Sequence, residues 1–315
     1  MIPGLAWAWL AFFLGVWGLG ERLGERTVPT LLLAYAPPVL LLLPTLLILV
    51  LALWHARVSR RALLPALLTL ALWPLYAGLV WNTPQANPTD AITLLTYNLA
   101  GATQGRPERL AAEIRAADAD IVTLQETEGV DVDLTRELLA LLPEYEHAQA
   151  AESRELLTLS RFPVVGTRAV TLPETTRIFL VTTLNTPQGK LTVINVHFST
   201  VLVSRVLQGQ VGPTQSRREA QLDILRRETA GLERVIVAGD FNTPPRGVMY
   251  RDLQRMFSGA WAEAGGGLGW TFPSASPALR IDHIFSRGLR PVRAEVLDAG
   301  GSDHRAVRAV LTWEG

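Results

Sequence analysis

The chain contains no cysteine in 315 residues, which excludes disulfides, thiolate metal sites and a cysteine nucleophile. Charge is scarce over its first 89 residues, which hold five Arg, no Lys and two Glu among Leu, Ala, Trp and Pro. Such a stretch has the composition of a bilayer segment rather than of a globular surface. The remainder lacks internal repeats and low-complexity tracts. It also lacks the positive excess of a nucleic-acid-binding surface: removing those five basic and two acidic residues from totals of 29 and 29 leaves 24 against 27.

Three apolar runs occupy the N-terminal part: Leu5 to Leu19, Val28 to Trp54 and Ala62 to Trp81. About twenty helical residues, rising 1.5 Å each, cross a hydrocarbon core of about 30 Å. The second and third runs meet that length. The first is shorter, but it has no basic region before it and no A-x-A-like cleavage site after it, so a removable signal peptide is the weaker reading. Three retained transmembrane helices are expected over residues 1–82, with Pro37, Pro38 and Pro44 kinking the middle one. Trp7, Trp9, Trp17, Trp54, Trp73 and Trp81 lie near the ends of the runs, where aromatic anchors sit. A buried helical hairpin domain is the alternative. The connection with Arg57, Arg60 and Arg61 is more basic than the one with Arg22 and Arg26, each beside a Glu. That bias puts the second connection and the N-terminus in the cytoplasm, and the rest of the chain outside a multi-pass plasma-membrane anchor.

Residues 83–90, with two prolines, read as a linker, and residues 91–315 have the size of one large α/β unit. Strand-length apolar runs are expected at Ile92–Asn98, Ile121–Glu126, Leu156–Arg161, Ile178–Asn185, Leu191–Phe198, Val235–Asn242, Arg280–Ser286, Val292–Leu297 and Ala306–Thr312. Helices are expected at Pro107–Ala117, Leu134–Leu142, Ser216–Ala230 and Gly247–Met256. Strands joined partly by hairpins and partly by helices imply an α/β two-sheet sandwich with helices outside. Asn98, Glu126, His197, Asp240 and Asn242 each fall where an apolar strand gives out into a loop, so converging strand ends make the natural site. If Asp240 and Asn242 share a strand, their side chains point the same way and can hold one phosphate.

The segments Thr96-Tyr97-Asn98, Leu124-Gln125-Glu126, Leu159-Ser160-Arg161-Phe162-Pro163, Asn195-Val196-His197-Phe198, Gly239-Asp240-Phe241-Asn242, Arg280-Ile281-Asp282-His283-Ile284 and Ser302-Asp303-His304 occur in this order. Together they resemble the motif series of the endonuclease/exonuclease/phosphatase superfamily, which includes pancreatic deoxyribonuclease, neutral sphingomyelinases and inositol polyphosphate 5-phosphatases. The resemblance spans residues 91–315 and implies a membrane-anchored, bacterial-type member.

It also implies a divalent-metal-dependent hydrolase, with Mg²⁺ or Mn²⁺ as cofactor and a phosphate ester as substrate. Glu126 is the leading ligand candidate, because a carboxylate ending an apolar strand is costly unless a cation or donor meets it. In the family pattern Asn98 positions phosphate and metal, and Asp303 adds a metal oxygen. Asp240 activates or orients the attacking water, and Asn242 bonds to the phosphate or to that water. His304 contacts phosphate and shares proton handling, with the base left open between it and Asp240. His197 takes a phosphate-binding or acid role, oriented by Asp282. His283 is structural. The family often places an acidic or tyrosyl residue near Glu152 and Glu155, but neither aligns clearly, which leaves the partner of His304 open.

The stretch Ser199 to Gln215 is apolar for a connection beside a catalytic histidine. It is either a lip over the site or bilayer, or an ordinary helix on the sheet. Gly265 to Gly269 forms a flexible approach to Trp270-Thr271-Phe272-Pro273. Three functions remain in view: a membrane-tethered phosphoesterase for a lipid headgroup or small metabolite, a nuclease with a local patch at Arg217, Arg218, Arg226 and Arg227, and a silent scaffold. The retained Asn98, Glu126, His197, Asp240, Asn242, Asp282, Asp303 and His304 argue against the last.

Overall fold

The computed structural model describes residues 1–57, 59–83, 85, 88–128, 133–150 and 153–314. Glu152 and linker positions 84, 86 and 87 lie outside the described residues, as does the side chain of Val203.

The helices are α1 (Ile2–Leu23), α2 (Val28–Tyr35), α3 (Val39–His55), α4 (Leu63–Tyr76), α5 (Pro107–Ala116), α6 (Leu134–Leu141), α7 (Val203–Leu207), α8 (Val211–Glu228), α9 (Val248–Met256) and α10 (Ala260–Ala264). The strands run from β1 (Val80–Trp81) and β2 (Ile92–Asn98) through β3 (Ile121–Gln125), β4 (Glu146–Ala150), β5 (Ser153–Ser160), β6 (Val164–Thr171) and β7 (Ile178–Thr186). They continue with β8 (Gly189–His197), β9 (Val235–Asp240), β10 (Ser258–Gly259), β11 (Gly266–Gly267), β12 (Asp282–Arg287), β13 (Leu289–Val296) and β14 (Val307–Trp313).

Two six-stranded mixed sheets result, in the orders β10-β12-β9-β8-β7-β6 and β13-β14-β2-β3-β5-β4. Within them β8–β9 and β2–β3 are parallel. Both parallel pairs need a crossover, and the sequence supplies it as α8 between β8 and β9 and as α5 between β2 and β3. The sheets face each other across Leu94, Ile121, Leu191, Val193, Ile236 and Ile284. One outer face is covered by α5 and α6 through Leu110, Ile114 and Leu138, and the other by α8 and α9 through Leu222, Leu225 and Leu253. Each buried aliphatic side chain of this kind is worth about 1.5–3 kcal/mol. A polar link crosses the apolar interior. Gln125 Nε2 donates to Asn195 Oδ1 at 2.8 Å, and Asn195 Nδ2 donates to the carbonyls of Leu124 and Leu157.

The N-terminal part departs from three spans. Among the described residues, one helical stretch, Ile2–Arg26, is long and apolar enough to cross a membrane. α2 and α3 pass that test only as a single span bent by 82°. The residue before Pro37-Pro38 is forced out of helical geometry, and Ala36 is extended (φ −70°, ψ 134°), so the second run breaks instead of merely kinking. α4 has 14 residues, about 21 Å of helix, and ends before Gly78, whose positive φ turns the chain into β1. α1, α3 and α4 pack around Ala6, Ile48, Ala52 and Ala66. Leu40, Leu43, Leu47, Val50 and Leu53 face outward and exposed.

Candidate active site

The site forms where β2, β3, β8 and β9 end and β12 begins. Strand register places His197 beside Asp240 across β8 and β9, and Asp282 beside Asp240 across β12 and β9. The neighbouring phenylalanines fix these ends. Phe198 and Phe241 are fully buried and stack with centroids 5.3 Å apart, so the residues flanking them are held at the rim of a packed aromatic layer. Gly239 has φ +150°, and a Cβ there would lie 1.9 Å from the Val196 carbonyl oxygen. Only glycine permits that approach of β9 to β8 immediately below Asp240 and His197.

Asp240 is the centre of the cluster. Its Oδ1 accepts the Asn242 backbone N–H at 2.7 Å, and its Oδ2 accepts Asn242 Nδ2 and Asn98 Nδ2, each at 3.1 Å. His197 Nε2 lies 3.5 Å from Asp240 Oδ2 and 3.7 Å from Glu126 Oε1. His304 Nε2 lies 4.0 Å from Asp240 Oδ2. Asn98, His197, Asp240, Asn242, Asp282 and His304 are all buried, whereas the side chains of Glu126 and Asp303 are 41% and 37% exposed and form the mouth. All eight sequence candidates therefore belong to one connected group.

Their pairings differ from expectation in three respects. First, Asp282 orients His304 rather than His197, accepting from Nδ1 at 2.9 Å. Thr271 Oγ1 in turn accepts the N–H groups of Ile281 and Asp282, and the Phe272 ring lies 4.8 Å from that of His304. The Trp-Thr-Phe-Pro motif thus supports the histidine. The partner of His197 is Glu155, whose Oε1 lies 2.7 Å from Nδ1, at ion-pair distance though not aligned as a hydrogen bond, and which also meets Arg177.

Second, β9 ends at Asp240, and Asn242 adopts a left-handed φ of +47°. Its side chain consequently turns back. Both amide hydrogens are spent, on Asp240 and on the Phe198 carbonyl, so Asn242 braces the carboxylate instead of standing parallel to it as a second phosphate contact. Third, the Asn98 side chain is tied to its neighbours at both ends, with one lone pair of Oδ1 left over. Its Oδ1 accepts the Ala100 N–H, while Nδ2 bridges Glu126 and Asp240. Ser302 went unnoticed in the sequence except as part of a tripeptide. Its Oγ donates to the Asn98 carbonyl and accepts the His304 N–H, tying two motifs together.

Burial opposes charging His304. The Asp282 carboxylate outweighs that through its charge and hydrogen bond, with Asp240 and Asp303 adding to it, and the pKa rises from 6.5 to about 10. A raised pKa stabilises the fold fully below the unfolded value and loses that contribution as pH climbs through the folded one. In chelator-treated protein, the stability gap between wild type and His304→Gln should therefore narrow from pH 6.5 to pH 10. Urea unfolding of both at each pH measures it, and a constant gap would contradict this electrostatic account. His283, by contrast, is pushed down to about 3 by burial and by Arg280, and its Nε2–H donates to the Thr243 carbonyl, a structural role as expected.

A cavity of about 290 Å³ lined by Glu25, Leu31, Val201, Arg218 and Val248 lies behind this edge, between α2 and the sandwich. Of the four carboxylates that line it, Asp223 and Asp252 pair with Arg226. None of the eight residues of the carboxylate-imidazole cluster lines that cavity.

Residues 95–304 match the endonuclease/exonuclease/phosphatase family, to which the chain belongs. No curated protein matches the sequence. Among solved structures, an endonuclease/exonuclease/phosphatase from Beutenbergia cavernae is similar at 21% identity and TM-score 0.56, covering 72% of each chain. D. rerio TDP2 complexed with single-strand DNA product shows 15% identity and TM-score 0.57, over 70% of this chain and 99% of that one. A Bacteroides thetaiotaomicron mannosyl-6-phosphatase shows 18% identity and TM-score 0.57, over 70% of this chain and all of the other. These likenesses establish a shared fold.

Proposed function

We propose that the protein is a membrane-attached, Mg²⁺-dependent phosphoesterase, with Mn²⁺ as an alternative cation, that hydrolyses a phosphodiester or phosphomonoester of a lipid headgroup or a small phosphorylated metabolite. The coarse activity, phosphate-ester hydrolysis assisted by a divalent cation, follows from the family. The observation that carries the site assignment is Asp240, a buried carboxylate held by three N–H donors and faced by two imidazoles.

The donor chemistry suits a hard cation. Glu126 is a partly exposed carboxylate that converges with Asp240 on one amide, and Asp303 Oδ1 is shielded from solvent without a hydrogen-bond partner. Glu126 and Asp303 would hold it, Asp303 directly or through water. Asp240, Asp282 and His304 also place ligand atoms within 4.8 Å of one another. There, however, Asp282 and His304 are already bonded to each other, which makes that group the weaker place. A bound cation supplies charge neutralisation on the phosphate oxygens.

The remaining work falls to side chains. Asp240, fixed by Asn98 and Asn242, orients the attacking water and takes its proton. His304, pinned at Nδ1 by Asp282, presents Nε2 toward the same point and donates to a phosphate oxygen. His197 sits between Glu126 and Asp240, where it would serve as the acid that protonates the leaving oxygen as the ester P–O bond breaks. Asp282 and Glu155 act through the imidazoles they orient.

The nuclease reading loses three of the four arginines of its local patch, and of the four only Arg227 stays exposed without an ion pair among the described residues. Arg218 is buried and donates to the carbonyls of Ser199 and Phe241, Arg226 pairs with Asp223 and Asp252, and Arg217 with Glu174. Those side chains are not a free patch for exchanging phosphate counterions. Membrane attachment rests on Ile2–Arg26 and on the apolar side chains exposed along α3, and the proposed orientation places the sandwich outside the cytoplasm. Full-length protein from the membrane fraction, tested with Mg²⁺ or Mn²⁺ on phospholipids, sugar phosphates, DNA and RNA, should hydrolyse a lipid or metabolite ester with shallow salt dependence. Steeply salt-sensitive DNA cleavage as the sole activity, or recovery of the chain in the soluble fraction, would reject it.

A further inference from the structure

The loop that follows Asp240 is built against the N-terminal helices. Tyr35, at the end of α2, donates its hydroxyl hydrogen to the Asn242 carbonyl at 2.6 Å. Four residues on, Arg246 is buried and donates through Nη2 to the carbonyls of Ala34 and Ala36 at 2.7 and 3.0 Å. Its guanidinium stands 4.9 Å from the centre of the Tyr76 ring of α4. Those carbonyls are the unsatisfied end of α2, where a cation is favoured. Next, the Val248 N–H donates to the Glu25 carboxylate at 3.3 Å. Gly247 (φ +92°) comes so close that a Cβ would sit 2.6 Å from Glu25 Oε1. Successive polar groups of the Asn242–Val248 loop are thus met by the end of the helical bundle.

This contact reaches the reactive cluster by a short route. Asn242 sits in a left-handed conformation that non-glycine residues adopt at a cost. Four bonds hold it there: its carbonyl to Tyr35, its N–H to Asp240, and its side chain to Asp240 and Phe198. Two of the three donors on Asp240 come from this residue. Two of the solved structures that share the fold, the D. rerio TDP2 complex and the mannosyl-6-phosphatase, match 70% of this chain while being covered over 99% and 100% of their own length, and residues 91–315 are about that share of this chain. The fold therefore does not depend on the helices, yet here they touch the residue that braces the central carboxylate.

We propose that the helical segment completes the catalytic centre: Tyr35 is a positioning residue that holds Asn242, and through it Asp240, in hydrolytic geometry, while Arg246 locks the loop to the end of α2. The consequence for turnover rests on the phosphoesterase reading above. The coupling itself does not.

The test uses the full-length chain in detergent or nanodiscs and the variant Tyr35→Phe, which removes one oxygen and keeps the ring. Losing a single hydrogen bond that acts on geometry lowers kcat about five-fold, with KM within about two-fold. Hydrogen exchange of the Asn242 amide, which is held on Asp240 Oδ1, should accelerate while the thermal midpoint stays unchanged. That combination supports the proposal. Unchanged kcat with unchanged exchange overturns it, as does a fall in kcat matched by a general loss of stability and faster exchange throughout. Should wild type hydrolyse no phosphate ester, the function reading fails and exchange at Asn242 alone decides the coupling: acceleration in Tyr35→Phe supports it and equality overturns it.

Discussion

Asp240→Asn abolishes useful turnover, lowering kcat/KM by about 10³-fold while the protein remains folded. The carboxylate receives three N–H donors, from the Asn242 backbone and from the side-chain amides of Asn242 and Asn98. An asparagine of the same shape has to aim its own NH2 at one set of those donors. It also removes the negative charge that His197 and His304 face at 3.5 and 4.0 Å. The variant keeps the packing beneath it, since Phe241 and Gly239 are untouched, so circular dichroism should match wild type. Steady-state kinetics on the substrate identified by the panel measures the loss. Turnover within ten-fold of wild type would remove Asp240 from the centre of the mechanism.

Gly239→Ala produces the largest loss of stability. The added Cβ would meet Val196 at 1.9 Å from its oxygen and 2.9 Å from its carbonyl carbon, and both are backbone atoms inside a parallel strand pair. Neither strand can yield without breaking the ladder, and φ +150° is itself unfavourable for alanine. A destabilisation of about 3–5 kcal/mol is expected from such a clash. Gly166→Ala serves as the control. Its Cβ would find Thr183 at an ordinary 3.7 Å and its φ is unremarkable, so that substitution should be neutral or slightly stabilising. Urea unfolding of both variants decides the matter. Equal midpoints would show that the β8–β9 approach is not the constraint described.

The central strands of the sandwich were legible because burial on both faces leaves continuous apolar runs, as in Ile121–Gln125 and Val235–Asp240. Among the edge strands β13 was expected, whereas β4, β6 and the two-residue β10 were not. Val164–Thr171 is largely exposed, and Glu146–Ala150 edges the other sheet, so neither carries an apolar signature. Which side chains gather at the strand ends was readable from motif order, but their pairings were not. Sequence cannot tell which of two imidazoles Asp282 will meet, because that depends on where the Ser302–His304 loop folds back after β13. Glu155 offered one clue, a charge at the head of the run Leu156-Leu157. Tyr35 offered none, since a tyrosine beside prolines in an apolar stretch looks like any interfacial aromatic. The broken second helix was foreshadowed by Pro37-Pro38, but its consequence, an end surface for the catalytic loop, is a property of the assembled molecule.

The Gln125–Asn195 amide pair has a bearing that its distance from any substrate conceals. Gln125 immediately precedes Glu126, and Asn195 lies two positions before His197, one on each layer. Slipping one layer past the other by a single residue would break the Gln125–Asn195 bond and draw the buried Asn195 amide away from the carbonyls of Leu124 and Leu157, whereas the aliphatic contacts around them would tolerate the shift. The two halves of the reactive centre are thus aligned by a polar latch in the interior. Alignment of this kind survives changes in the surface loops, which leaves those loops free to diversify.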